Sequence, residues 1–212
     1  MLRFINILIV FLIVTISCKG QNNVKSLINQ SFKRYQTALL NKDGYDAMKC
    51  IDSKSIEYYN FILEETKNGD STEINSLSLI DKVMVWASRL LASPREINSF
   101  DTNDFIAFLM GKGIMTKDID ENDSIGNITV YGDFAKGELI SNGGKTSLYY
   151  YFYKESGQWK FDLISSFGII GYELSTMIES SGMTENEYLF DVLNKFTGKK
   201  INSDIWKKTE SY

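Results

Sequence analysis

KTSLYYYFYK, residues 145–154, decides the fold. In an extended chain, Thr146, Leu148, Tyr150 and Phe152 share one face, and Ser147, Tyr149, Tyr151 and Tyr153 share the other. Aromatic mass on both faces predicts a strand covered on both sides, or covered on one side and lining a cavity on the other. Downstream, Trp159, Phe161 and Leu163 alternate with Lys160, Asp162 and Ile164, which predicts a second strand over Gln158–Ile164. Glu155-Ser156-Gly157 between them is a short polar connection with glycine, as a hairpin requires.

Upstream, Ile125–Tyr131 and Phe134–Ile140 read as two more strands. Gly132-Asp133 and Asn142-Gly143-Gly144 supply their turns, since Gly and Asn accept positive φ. Four short strands with tight turns predict an antiparallel meander. Helices first, then strands containing Tyr150–Lys154, Gly157, Trp159, Lys160, Phe161 and Asp162, resemble the NTF2-like superfamily. The resemblance implies an α+β fold: N-terminal helices packed on a curved antiparallel sheet that forms a cone with an internal pocket. It does not imply one activity, because such folds host many.

The helical half has its own signals. Ile28, Phe32, Tyr35 and Leu39 predict an amphipathic helix over Val24–Asn41. Tyr45–Lys67 continues the helical pattern, with a break at Asp52-Ser53-Lys54. Asn68–Ser71 reads as a loop. Ser78 caps a helix carrying Ile80, Val83, Met84, Ala87, Leu90 and Leu91, and Pro94 is expected to end it. Asp101 opens another helix through Phe105, Phe108 and Leu109. After the sheet, Ser166–Ser181 places Ile170, Leu174, Met177 and Ile178 on one face. Thr184 to Glu187 matches a capping box before Leu189, Val192, Leu193 and Phe196. These two C-terminal helices are additions to the minimal NTF2-like plan. Ile201, Ile205 and Trp206 predict a short docking tail.

Residues 1–17 carry Arg3 and then an apolar run from Ile5 to Ile16, too short to span a bilayer. Ser17-Cys18 and the polar Lys19–Asn23 follow, and together they resemble a bacterial lipoprotein signal. The resemblance implies cleavage before Cys18, lipidation of Cys18 and a tether over residues 18–23. An ordinary cleaved signal or an uncleaved anchor are the other readings. Residues 24–212 then form one α+β domain. The expected site is the bacterial cell envelope, outer membrane and periplasm-facing, with membrane attachment through acyl chains alone. If Cys18 carries lipid, Cys50 has no intrachain partner, and its helical spacing predicts a buried, inert thiol.

The chain has 212 residues, 23 basic against 27 acidic, and no histidine. An acidic chain with scattered lysines is a poor nucleic-acid binder. Absence of histidine removes Ser-His-Asp and Cys-His catalysis and the usual His-bearing zinc sites. No Gly-rich phosphate loop is present, and no cofactor is expected.

Two sites remain as candidates. Asp118, Asp120 and Asn122 fall on the first alternating ligand positions of a calcium loop, but Asp123 replaces its turn glycine and Thr129 its bidentate glutamate. A solvated acidic loop is the plainer reading. In the cone, Tyr149, Tyr150, Tyr151, Phe152, Trp159 and Phe161 are the candidate pocket wall for a small apolar or amphipathic ligand. Asp162 is the candidate catalytic acid, on the analogy of family enzymes that move protons beside a carbonyl. The plainer reading has the aromatics filling the interior and Asp162 facing solvent beside Lys160. The function expected is therefore a non-enzymatic module binding a small ligand or an envelope protein. The alternatives are a small lyase or isomerase using Asp162 with a tyrosine, and a structural subunit of an envelope assembly.

Overall fold

The computed structural model describes residues 23–114 and 120–209. The lipoprotein signal, Cys18 and Asp118 lie outside the described residues. Helix α1 covers 23–40. It is followed by α2 (Gly44–Met48), α3 (Ser53–Asn68), α4 (Ser71–Ser76), α5 (Leu79–Leu91), α6 (Pro94–Ser99) and α7 (Thr102–Gly111). The sheet strands are β1 (Ser124–Tyr131), β2 (Phe134–Ser141), β3 (Gly144–Glu155) and β4 (Gln158–Phe161). Helices α8 (Phe167–Ser181) and α9 (Glu185–Thr197) complete the chain, with one-turn 3-10 helices at Leu163–Ser166 and Ser203–Trp206. The architecture is α+β, with an open four-stranded antiparallel sheet in the order β1-β2-β3-β4.

Among the described residues, the helices cover one face of the sheet, and Tyr131, Tyr149 and Tyr153 are exposed on the other. Phe152 pairs with Phe161 and Lys154 with Trp159 in register, so Tyr150, Phe152, Trp159 and Phe161 all point toward the helices and are buried. Helix α1 lies against them. Its Phe32 ring stands 5.5 Å from Tyr150, and its Tyr35 ring 5.0 Å from Phe161. Ser31 Oγ donates to the Trp159 carbonyl at 2.7 Å. Edge strand β4 is shielded by the segment after α2: Phe161 N–H donates to Cys50 O and Asp52 N–H to Phe161 O. A covered edge cannot template pairing with another chain.

β4 stops at Phe161, three residues before the end of the alternating pattern. Leu163 N–H donates to Ser55 Oγ at 3.0 Å instead of to a strand, and the chain turns into the 3-10 helix at Leu163–Ser166. Leu163 and Ile164 therefore do not lie in the sheet. Pro94 is a second correction. Helix α5 already ends at Leu91, and Pro94 is the first residue of α6, behind a Ser93–Glu96 capping box. Proline lacks only a backbone N–H that a first-turn residue has no use for. The Asn68–Ser71 loop is likewise reduced to Gly69 and Asp70, because Asp70 and Glu73 form a capping box that nucleates α4.

The second packing centre is Trp86 of α5, fully buried between Phe190 and Trp206 at 4.8 and 5.1 Å. It joins α9 and the C-terminal tail to the body, with Ile205 buried beside it. At the other end, α2 crosses α7 backbone to backbone. A Cβ on Gly44 would stand 2.4 Å from the Ala107 carbonyl oxygen, so only glycine fits that crossing.

Candidate functional site

Alternation along β3 divides the predicted pocket wall between two surfaces. Tyr150, Phe152, Trp159 and Phe161 fill the space under α1 as packed core. Tyr149 and Tyr151 point the other way. The outward face collects more aromatics than the sequence pattern singled out. Tyr131 and Phe134 flank the Gly132-Asp133 turn, where Gly132 has φ of 62°, and pair directly in the register. Phe134 in turn faces Tyr153 on β3. Its ring lies 6.2 Å from Tyr131, 5.7 Å from Tyr151 and 5.3 Å from Tyr153. Tyr131 is 59 % exposed, Tyr149 45 % and Tyr153 36 %. The signal that could have found this set is the turn itself: a two-residue hairpin puts its flanking residues side by side on one face.

Charges are interleaved with the rings. The Lys136 ammonium stands 5.2 Å over the Tyr149 ring, and Lys145 pairs with Glu138 at 3.1 Å. Lys160 Nζ bonds the Lys49 carbonyl. Among the described residues, none takes up the phenolic hydroxyls of Tyr131, Tyr149, Tyr151 or Tyr153. The face therefore offers ring surface together with donors and acceptors that can turn toward a partner.

Asp162 is not on that face as a solvated carboxylate. The residue is 2 % exposed, and its Oδ1 has no hydrogen-bond partner. Burial pushes its carboxyl above the ordinary aspartate range, and the neighbouring Asp52 adds to that. Lys54 and the N–H groups of Ser165 and Ile164 oppose it. Asp52 itself is buried and caps α3, accepting from Ser55 N–H at 2.9 Å. The expectation that Asp162 faces solvent beside Lys160 is thus corrected: the end of β4 turns it under α3.

Next to it runs a cleft of about 490 Å³ between α3, the start of α5 and the start of α8. Tyr58 donates to Asp81 Oδ1 at 2.5 Å there, over an apolar wall of Ile80, Ile164 and Phe167. Burial first, and that bond second, hold the Tyr58 phenol far above its ordinary range. Asp162 does not line this cleft. No sequence signal links Tyr58 to Asp81, because they meet only when α3 packs on α5.

Asp120, Asn122 and Cys50 make local contacts. Asp120 Oδ1 accepts from the backbone and side-chain nitrogens of Asn122, both at 2.8 Å. The loop is pinned from inside by Gln36, which donates to the carbonyls of Asp120 and Asp123. Cys50 is buried, its Sγ 3.5 Å from the Asp46 carbonyl, and burial raises its thiol above the ordinary range. Among the described residues, no helix is long and apolar enough to cross a membrane.

No family model, curated protein or solved structure matches the chain.

Proposed function

We propose that the protein is a non-enzymatic binding module, held at the bacterial cell envelope by lipid on Cys18, that docks a protein partner on the open aromatic face of its sheet. The observation that carries the reading is the cluster of Tyr131, Phe134, Tyr149, Tyr151 and Tyr153 on a face left in solvent. Tyrosine is enriched at interface centres because it buries a large ring while keeping a polar handle. Solvent-facing strands ordinarily carry polar side chains instead.

The envelope location rests on the apolar run, Ser17-Cys18 and the polar residues behind them. An NTF2-like ancestry belongs to the same proposal. It is supported by the order of helices followed by a four-strand meander, with α8 and α9 as additions. The lyase or isomerase reading is less favoured, because its acid, Asp162, is sealed beside a second carboxylate. A structural subunit of an envelope assembly would use the same sheet face and differ only in permanence.

The test is a photo-crosslinking amino acid placed at Tyr149 or at Tyr172 in the full chain, expressed in its own host. Tyr172 is the control, 74 % exposed on α8. A discrete crosslinked protein from the Tyr149 position and none from Tyr172 is expected. Crosslinks from Tyr172 alone would move the docking surface to α8, and the sheet reading would fail. Separately, Cys18→Ser should release the protein from the membrane fraction.

A further inference from the structure

The acids outnumber the bases in this chain, yet one cleft inverts that balance. It has a volume of about 590 Å³ and lies between the end of α5, the start of α6 and the tail from Lys199 to Thr209. Arg89, Arg95, Lys199, Lys200, Lys207 and Lys208 line it, and among the described residues Asp204 is the one acid in the lining. These cations come from two stretches more than a hundred residues apart, brought together when Trp206 docks on Trp86. Lysines that look scattered along the chain are therefore concentrated in space.

The cations divide into two groups. Arg89 is structural: its guanidinium donates to the carbonyls of Glu65, Thr66, Gly69 and Ile205 and fixes the tail to α3. Burial lowers its pKa to about 10, still charged at neutral pH. Lys199 donates to Leu90 O at 2.5 Å, Lys207 pairs with Asp204 at 2.6 Å, and Lys208 stands 4.0 Å from Glu73. Arg95 and Lys200 make no hydrogen bond or ion pair among the described residues. Both are exposed and both line the cleft, one from α6 and one from the tail. Leu90, Ile97 and Ile205 give the same cleft an apolar part of its lining. Like charges gathered around one concave surface cost self-repulsion unless an anion offsets them.

We infer that this cleft binds a phosphate-bearing amphiphile, with Arg95 and Lys200 on the phosphate and the apolar part of the lining against the adjoining carbon chain. A guanidinium fork from α6 and an ammonium from the tail, lining one cleft, suit a tetrahedral phosphate, and the surrounding cations supply more positive field than one carboxylate requires. The inference is independent of the sheet-face reading, since the two surfaces share no residue. The phosphate could come from a lipid headgroup or from solution, and the experiment separates the two.

The full chain, held in an uncharged detergent, is titrated by calorimetry with dihexanoyl phosphatidylglycerol, dihexanoyl phosphatidylcholine and inorganic phosphate. The comparison variant is Arg95→Glu/Lys200→Glu. Neither residue is buried, so its melting temperature should match that of the parent. Saturable binding of phosphatidylglycerol, weakened about tenfold or more in the variant, is expected. If inorganic phosphate binds as tightly and is lost in the same variant, the phosphate contacts at Arg95 and Lys200 stand and the role given to the carbon chain is overturned. No binding of either anion, or phosphatidylglycerol binding that the variant leaves unchanged, overturns the inference.

Discussion

Asp162 shows what one residue's surroundings do to its charge. An aspartate whose folded pKa is raised binds its proton more tightly folded than unfolded. Its penalty is absent below the unfolded pKa and grows as pH rises from about 4 through the raised folded value. Asp162→Asn keeps the size of the side chain and removes the charge beside Asp52. The variant should therefore melt higher than the parent at pH 7.5, with the gain fading toward pH 4. A gain that does not vary with pH would mean that the carboxylate is solvated. Gly44 makes the opposite point, since its missing side chain is the constraint. A Cβ there meets the backbone of Ala107 at 2.4 Å, and backbone cannot swing aside. Gly44→Ala should cost about 1–3 kcal/mol in a denaturant titration, the range for an overpacked site. Neither residue's role is legible locally. Asp162 continues an alternating strand pattern, and Gly44 looks like an ordinary helix stop after Lys42-Asp43.

At the scale of elements, the sequence is most readable where the deciding interaction is local. The three turns of the meander follow from a glycine at positive φ in each, Gly132, Gly143 and Gly157, joined by Asn142 in the second and by Ser156 in the third. Asp52, Ser78, Asp101 and Thr184 each cap the helix that they precede, through a bond to a backbone N–H within three residues. The capping box of α9 is the cleanest test: Thr184→Ala should destabilise the protein by about 1 kcal/mol. Legibility fails where a distant element intervenes. β4 is cut short by Ser55 of α3, and no property of the Gln158–Ile164 pattern contains that. Helix α8 fails in another way. Its apolar spacing predicts a buried stripe, yet none of its residues is fully buried, and Met177 and Ile169 are largely exposed. Met177→Lys should accordingly shift stability by no more than about 0.5 kcal/mol. A loss several times larger in thermal unfolding would show that α8 is packed more tightly than its exposure indicates.

Over the whole molecule, both candidate surfaces are products of tertiary assembly, with different degrees of legibility. Three of the five outward aromatics, Tyr149, Tyr151 and Tyr153, lie within KTSLYYYFYK, and alternation alone divides that stretch into two faces. What alternation cannot say is which face the helices take. That is decided by Phe32 and Tyr35 on α1, and it turns the predicted pocket wall into a filled interior and a solvent-facing platform. The cationic cleft was less legible still, because a net acidic composition averages over its location. Its lysine pairs, Lys199-Lys200 and Lys207-Lys208, are visible in the chain, but Arg89 and Arg95 join them only through the tail docking on α5. That docking is itself testable. Trp86→Ala removes the ring that holds Phe190 and Trp206, and should cost about 3–5 kcal/mol while loosening the tail first.

The central claim, that the sheet presents Tyr131, Tyr149 and Tyr153 outward for a partner to cover, can be read directly by tyrosine nitration. The full chain is nitrated once purified in detergent and once in intact envelopes, and each tyrosine is quantified by mass spectrometry. Tyr131, Tyr149 and Tyr153 should react readily in the purified protein while Tyr35, Tyr59 and Tyr150 stay protected. In envelopes those three outward tyrosines should become protected, with Tyr172 on α8 still reactive. Equal reaction of the outward tyrosines in both settings would contradict a docking role for the sheet, and nitration of Tyr150 in the purified protein would contradict the filled interior.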